Sequence, residues 1–120
     1  MFRRCALVLL TGAALCCGAV VAQAADVTFD LRIERGNVQP NMRRIRVNQG
    51  DAVTLRWTAD RTTILHLHGY DIEKTVEPGA VAEMSFTARA SGRFAVSVHV
   101  PTAGGHAHDP PLTHIEVYPR

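Results

Sequence analysis

Six histidines are the residues of this chain best suited to chemistry, and all of them lie in its second half. His66 and His68 are separated by one residue in the segment LHLHGYD, residues 65–71. Side chains two positions apart on a β-strand point to the same face, so this spacing predicts two imidazoles side by side. Neutral imidazole binds Cu(II) and Zn(II), so such a pair supplies half of a metal site. An exposed polar strand face is the alternative interpretation.

The remaining four histidines follow at wider intervals: His99, His106, His108 and His114. The segment PTAGGHAHDPP, residues 101–111, is too rich in glycine and proline for regular structure and indicates a loop that carries two imidazoles. His99 continues an outward-facing row of strand residues, where surface exposure explains it as well as ligation does. His114 alternates with apolar residues, and exposure is the better interpretation there. The candidate metal ligands are His66, His68, His99, His106 and His108; whether they meet in one site depends on the fold.

The first 24 residues have the pattern of a secretory signal peptide. A short basic start precedes a nearly continuous apolar stretch, and Ala22-Gln23-Ala24 has the small-x-small pattern of a cleavage site. Polar alternation begins directly after Ala24 without stop-transfer charges, which disfavours a membrane anchor. No cysteine of the leader follows the small residue that lipoprotein cleavage prefers. We expect removal of residues 1–24, and one domain over residues 25–120 in the periplasm or outside the cell.

The loss of this leader removes every thiol, because the three cysteines are Cys5, Cys16 and Cys17. A disulfide, a thiolate nucleophile and a cysteine metal ligand are therefore excluded from the mature chain. The mature chain then has eleven basic and eleven acidic residues and no formal net charge. This charge balance does not favour binding to nucleic acid. The chain has no serine in a nucleophile turn and no HExxH motif, and we expect no enzymatic activity.

Short segments with apolar residues at every second position make up the mature chain. They are found at residues 27–33, 45–47, 53–57, 64–70, 82–88, 94–100 and 113–117. Turn sequences such as NQGD, EPG and SG separate them, and no run of a dozen residues has a helical period. This pattern predicts an all-β fold, either a β-sandwich or a small barrel.

The order of these segments resembles that of the cupredoxins, Greek-key β-sandwiches that include plastocyanin and many secreted bacterial copper proteins. RVNQGDAVTL at 46–55 is similar to the family's V-x-x-G-D-x-V, and GRFAVSV at 92–98 is similar to its G-x-Y-x-F-x-C strand. HLHGYD at 66–71 falls where the family places its first copper histidine. The resemblance covers Phe29 to Val117. It implies a Greek-key cupredoxin-like fold in which the strand with the histidine pair meets the loop after Val98 at one end.

The chain departs from this family at the copper ligands. Val98 occupies the position of the ligand cysteine, and Asp109-Pro110-Pro111 stands where the axial methionine is expected. A blue-copper electron-transfer site needs that thiolate, so this chain cannot form one. The first hypothesis is a non-enzymatic protein that binds copper, with zinc as the alternative, for carriage, buffering or delivery. The second is a metal-free interaction or accessory domain with an envelope protein partner, and the third and weakest is a copper redox enzyme.

Overall fold

The computed structural model describes residues 12–19, 24–99 and 110–120, and within them the chain is almost entirely β-structure. The strands are β1 (Asp26–Glu34), β2 (Asn37–Val38), β3 (Arg44–Asn48), β4 (Ala52–Ala59), β5 (Thr63–Leu67), β6 (Ile72–Val76), β7 (Ala82–Thr87), β8 (Gly92–Val98) and β9 (Pro111–Tyr118). A single 3-10 turn, Pro40–Met42, precedes β3. The all-β class predicted from the alternation is confirmed.

The strands form two sheets, which confirms the expected Greek-key sandwich. The four-stranded sheet has the order β2-β1-β4-β7, and the five-stranded sheet has the order β3-β9-β8-β5-β6. The pairs β1–β4 and β3–β9 are parallel, and the other neighbours are antiparallel. The first and last long strands therefore both lie inside a sheet rather than at its edge.

The core forms between the sheets because each strand buries one face. On β4, Val53, Leu55 and Trp57 are each at most 1% exposed. Met84 of β7 lies opposite Leu55 and is fully buried as well. Burying a large apolar side chain contributes about 1.5–3 kcal/mol, so burial of these alternating side chains provides most of the free energy that holds the two sheets together.

The segment expected as one strand over residues 64–70 is instead a hairpin, so that expectation is wrong at its C-terminal end. β5 stops at Leu67, and residues 68–71 turn the chain into β6. Gly69 and Asp71 have φ of +88° and +52°, which a strand does not accommodate. The second arm, β6, is an edge strand with three consecutive exposed residues, so it lacks the apolar alternation that marks the other strands.

The predicted leader is described only over residues 12–19, which form neither helix nor strand. In the described ranges of the chain, no helix has the length and apolar character needed to cross a bilayer.

Candidate metal site

The two histidines of LHLHGYD are in contact on the outer face of the five-stranded sheet. Their ring centroids are 4.5 Å apart, with an angle of 64° between the ring planes. His66 lies on β5, and His68 is the first residue of the turn. The His68 backbone N–H donates to the carbonyl of Ala95 at 2.9 Å, which continues the ladder between β5 and β8. The pair therefore keeps the same-face geometry predicted from its spacing, although the strand ends between its members.

Carboxylates surround His66 on its solvent side. Its Nε2 atom lies 3.9 Å from Oδ1 of Asp71, and Glu73 of β6 lies directly opposite it in the sheet. The Asp71 side chain is fully exposed and that of His66 is one-third exposed. Such an exposed pair contributes little to stability. Its value is chemical, because it places a carboxylate oxygen of Asp71 near the Nε2 atom of His66.

A packed aromatic cluster fixes the turn that follows His68. The Tyr70 ring lies 4.7 Å from the Phe86 ring and 5.1 Å from the Phe94 ring, measured between centroids. The hydroxyl of Tyr70 is buried without a hydrogen-bond partner among the described residues. Because Tyr70 is anchored between β7 and β8, the turn presents His68 and Asp71 from a defined position.

His99 is the next imidazole along the same face. Its backbone N–H donates to the carbonyl of Ile64 at 2.7 Å, at the N-terminal end of β5. His66 lies opposite Ser97, so His99 is its diagonal neighbour, at a separation of about 7–8 Å for such positions. His66 and His99 can therefore approach a common ion more readily than their separation in sequence suggests.

The loop expected to meet the histidine pair lies outside the described residues, but the end of β8 that leads into it lies nearer to His66 than to His68. The chain leaves β8 beside Ile64, whereas His68 lies at the opposite end of β5, four residues further on. Four strand residues correspond to roughly 13 Å. The cause is the antiparallel register of β5 with β8, which a local pattern does not encode.

The end of the sandwich near Val98 contains a pocket of about 340 Å³. Its lining includes Thr62, Thr63, Val98 and His99. Val98 offers no donor atom to this pocket. Among the described residues, this pocket is lined by one imidazole, His99, and one carboxylate, Asp60, which is fewer than a metal site needs.

His114 belongs to the same outer face, a relationship that sequence reasoning missed. It lies opposite Ala95 on β8, and His68 lies beside Ala95 from the other side. Burial lowers the pKa of His114, and the cations Arg93 and Arg44 lower it further, although Glu116 acts in the opposite direction. His114 is half-buried and therefore neutral at neutral pH, rather than the exposed imidazole that its alternation indicated.

The pair of imidazoles is an incomplete site by itself. Over residues 12–19, 24–99 and 110–120, no three His, Cys, Asp or Glu side chains are grouped closely enough to hold a metal ion. Two of the predicted ligands, His106 and His108, lie outside the described residues. The donor chemistry fits Cu(II) or Zn(II) with two nitrogens and nearby carboxylates, and the described set would need at least one further ligand.

No family model and no curated protein matches this sequence. Solved structures do match. The periplasmic domain of subunit II of cytochrome oxidase (CoxB) from Bradyrhizobium japonicum is 17% identical, with a TM-score of 0.61 over 82% of this chain and 88% of that one. A copper binding protein solved by NMR in the apo form is 8% identical, with a TM-score of 0.60 over 81% of this chain and 92% of that one.

A heme-copper terminal oxidase, solved as a dimer by cryo-EM, is 22% identical with a TM-score of 0.60. The match covers 75% of this chain but only 63% of the oxidase chain, so this chain corresponds to part of that protein. At these identities the likeness concerns the fold alone.

Proposed function

Since this chain has the cupredoxin fold, we propose that it is a non-enzymatic copper-binding protein whose site is built from histidines without a cysteine. The observation that carries the proposal is the contact of His66 with His68, whose ring centroids are 4.5 Å apart on an open sheet face. Copper carriage, buffering or delivery is the activity that suits such a site. The cupredoxin fold and the copper-binding structural neighbour support copper.

The donor set favours Cu(II) among common divalent ions. Imidazole nitrogen suits copper, and the affinity order of divalent ions places copper above zinc. Zinc is the alternative metal, because it accepts tetrahedral sets of imidazoles. The described residues offer neither a thiolate nor a thioether cluster beside the pair, so the site lacks the ligands of rapid blue-copper electron transfer. An exposed pair suits ligand exchange with a partner instead.

The remaining ligands of the proposal come from the end of β8 and the segment after it. His99 is the diagonal neighbour of His66 on the same face. His106 and His108 complete the set as predictions from the sequence. Tight binding by all five residues requires the segment 100–109 to cover the outer face near His66.

We propose further that the protein is exported and cleaved after Ala24, so that it works in the periplasm or outside the cell. The leader pattern supports this, and one structural neighbour is a periplasmic domain. The proposal includes no membrane anchor and no nucleic-acid partner. A protein of the cell envelope would receive or supply the metal.

A metal-free accessory domain is the second candidate. Val98 at the cysteine position and the lack of a three-ligand cluster among the described residues favour it. The CoxB neighbour is a domain of a cytochrome oxidase subunit, which shows that the same fold serves within a larger assembly.

Metal titration of the processed protein separates the two candidates. Residues 25–120 contain the nine strands that the structure describes, and this form would be titrated with Cu(II), Cu(I) and Zn(II), desalted and analysed for bound metal. We expect one equivalent of copper to remain bound, and we expect the double variant His66→Ala/His68→Ala to lose it. His114→Asn, on the same sheet face but outside the proposed set, is the matched control and should retain it.

A second double variant, His106→Ala/His108→Ala, tests the contribution of the loop. Weaker but measurable binding would support the full ligand set. Retention of no metal by the wild-type protein would favour the accessory domain. Retention of copper by the His66→Ala/His68→Ala variant would place the site elsewhere.

A further inference from the structure

Asp51 is a buried carboxylate at which both ends of the domain meet. It lies in the turn between β3 and β4 and is only 3% exposed. Its Oδ2 accepts a hydrogen bond from the backbone N–H of Asn48 at 2.9 Å. Its Oδ1 accepts from the nitrogen of Ala25 at 3.1 Å and from Nη2 of Arg120 at 2.6 Å. One side chain thus joins the residue before β1 to the residue that lies two positions after β9.

Ala25 is also the residue that follows the expected cleavage site. In the precursor its nitrogen is an amide, and after cleavage it is a charged α-ammonium group. We propose that Asp51 is the receptor for this ammonium, so that removal of the leader completes a charge cluster which locks the mature fold. The inference rests on the cleavage position given under the proposed function and is independent of copper.

The position of the Ala25 nitrogen is already set by the sheet. The Ala25 carbonyl accepts from the N–H of Ala52 at 2.9 Å, and the next residue, Asp26, begins the parallel ladder of β1 with β4. No rearrangement is needed for the new charge to face the carboxylate. A charged donor strengthens a hydrogen bond to a carboxylate about twofold over a neutral one, and a site shielded from water preserves that gain.

Asp51 is ionised at neutral pH and ready to receive a cation. The backbone hydrogen bonds from Asn48 and Ala25, assisted by Arg120, lower its pKa, although burial opposes them. Arg120 is held independently, because its Nε donates to the carbonyl of Gln49 at 2.8 Å. Two cations then share one carboxylate, and their repulsion offsets part of the gain.

The uncleaved precursor can adopt the same fold as the mature protein. The two therefore differ in the charge on the Ala25 nitrogen and not in how residue 24 packs. Gly50 has a φ of +92°, and a Cβ atom placed on it would lie 3.9 Å from Cβ of Ala24. Ala24 therefore lies against the turn without a clash. A chain that begins at Ala24 keeps every backbone hydrogen bond of Ala25 and lacks only the ammonium at that position.

The test compares the metal-free protein beginning at Ala25 with the same protein beginning at Ala24. At pH 6.5 we expect the Ala25 form to have an unfolding equilibrium constant about fivefold smaller, which is roughly 4 °C in melting temperature. Asp51 should raise the pKa of the Ala25 amine above its usual value of about 7.7–8.0. The advantage is then complete below that range and is lost as the pH rises through the higher folded-state pKa.

Other charges near the amine are accounted for in this design. They are Arg120, which follows β9; Arg89, whose carbonyl accepts from Gln49; and Asp26, the residue after Ala25. All three are present in both forms, so the difference between the forms reports the position of the α-ammonium, which is on Ala25 in one form and on Ala24 in the other. Asp51→Asn should abolish the difference at every pH.

Equal melting temperatures of the two wild-type forms at pH 6.5 would overturn the proposal, as would a difference that survives at pH 10.5 or in Asp51→Asn. If Asp51→Asn does not fold, the pH dependence in the wild-type background still decides. A mature protein that begins at another residue would refute the cleavage position instead. Failure to bind copper would leave this comparison unaffected, since it uses metal-free protein.

Discussion

Gly69 packs directly against the ring of Phe94: a Cβ atom at Gly69 would lie 2.7 Å from Cδ1 of that ring, closer than non-bonded carbon atoms approach. Gly69 also has a φ of +88°. Both facts require glycine at this position of the turn, which follows His68 and precedes Tyr70. The turn that follows the histidine pair can therefore form only with glycine at position 69.

Gly69→Ala should destabilise the protein by about 2–4 kcal/mol, because backbone strain at positive φ adds to overpacking against Phe94. Urea unfolding measures the change. Gly79→Ala is the matched control, since Gly79 has a φ of +83° but no atom within 4 Å of the added Cβ. Gly79→Ala should lose only the stability that a Cβ atom costs at positive φ, about 1–2 kcal/mol. Equal losses for the two variants would contradict the packing argument.

Copper binding to the histidine pair should raise the melting temperature. A ligand that binds only the folded state at a hundredfold excess over Kd stabilises it by about 2.7 kcal/mol, or roughly 10 °C or more for a domain of this size. His66→Ala/His68→Ala should abolish the rise and leave the metal-free melting temperature nearly unchanged. A double variant that melts well below wild type without metal would show that the pair is structural.

The copper-loaded processed protein should be pale. Val98 replaces the ligand cysteine, and no cysteine lies after residue 24, so the intense thiolate-to-copper absorption in the visible range has no source. Visible absorption and electron paramagnetic resonance spectra measure this. A strong blue colour with a narrow copper hyperfine splitting would contradict the assignment of an all-histidine site.

His114 should make the metal-free protein less stable in mildly acidic solution. Burial and the nearby arginines lower its pKa in the folded state from the usual 6.5, so the unfolded chain takes up the proton first. Its contribution is present above about pH 6.5 and is lost as the pH falls through the lower folded-state value. The free energy of unfolding, measured with urea between pH 5 and 8, should depend less steeply on pH in His114→Gln than in wild type. His68→Gln controls for the loss of an exposed imidazole.

If the pH dependence of stability is the same in His114→Gln and wild type, water reaches the outer face near Ala95 and burial does not lower the pKa of His114. The carboxylate of Asp51 affects stability in a lower pH range than His114. Its pKa is lowered from 3.8, so its contribution persists until the solution is more acidic than the range used for His114.

Local periodicity predicted seven of the nine described strands and the closeness of His66 to His68, but not β2 or β6. Leu55 and Trp57 alternate with polar residues, and burial of one strand face follows from that alone. His66 and His68 are near each other for the same local reason. The location of His99 relative to His66 could not be predicted, because it depends on the register of β5 with β8. The bond from Arg120 to Asp51 joins residues 69 positions apart, and nothing in either segment indicates it.

The internal position of β9 has a consequence for the order in which the chain is made. β9 lies between β3 and β8, and it is the sheet neighbour of β3. The five-stranded sheet therefore stays open until residues 111–118 have been synthesised, and its closure depends on contacts that span most of the chain, which form slowly. A nascent chain that ends before β9 leaves β3 and β8 without their shared neighbour, so the five-stranded sheet is completed only when synthesis is nearly finished.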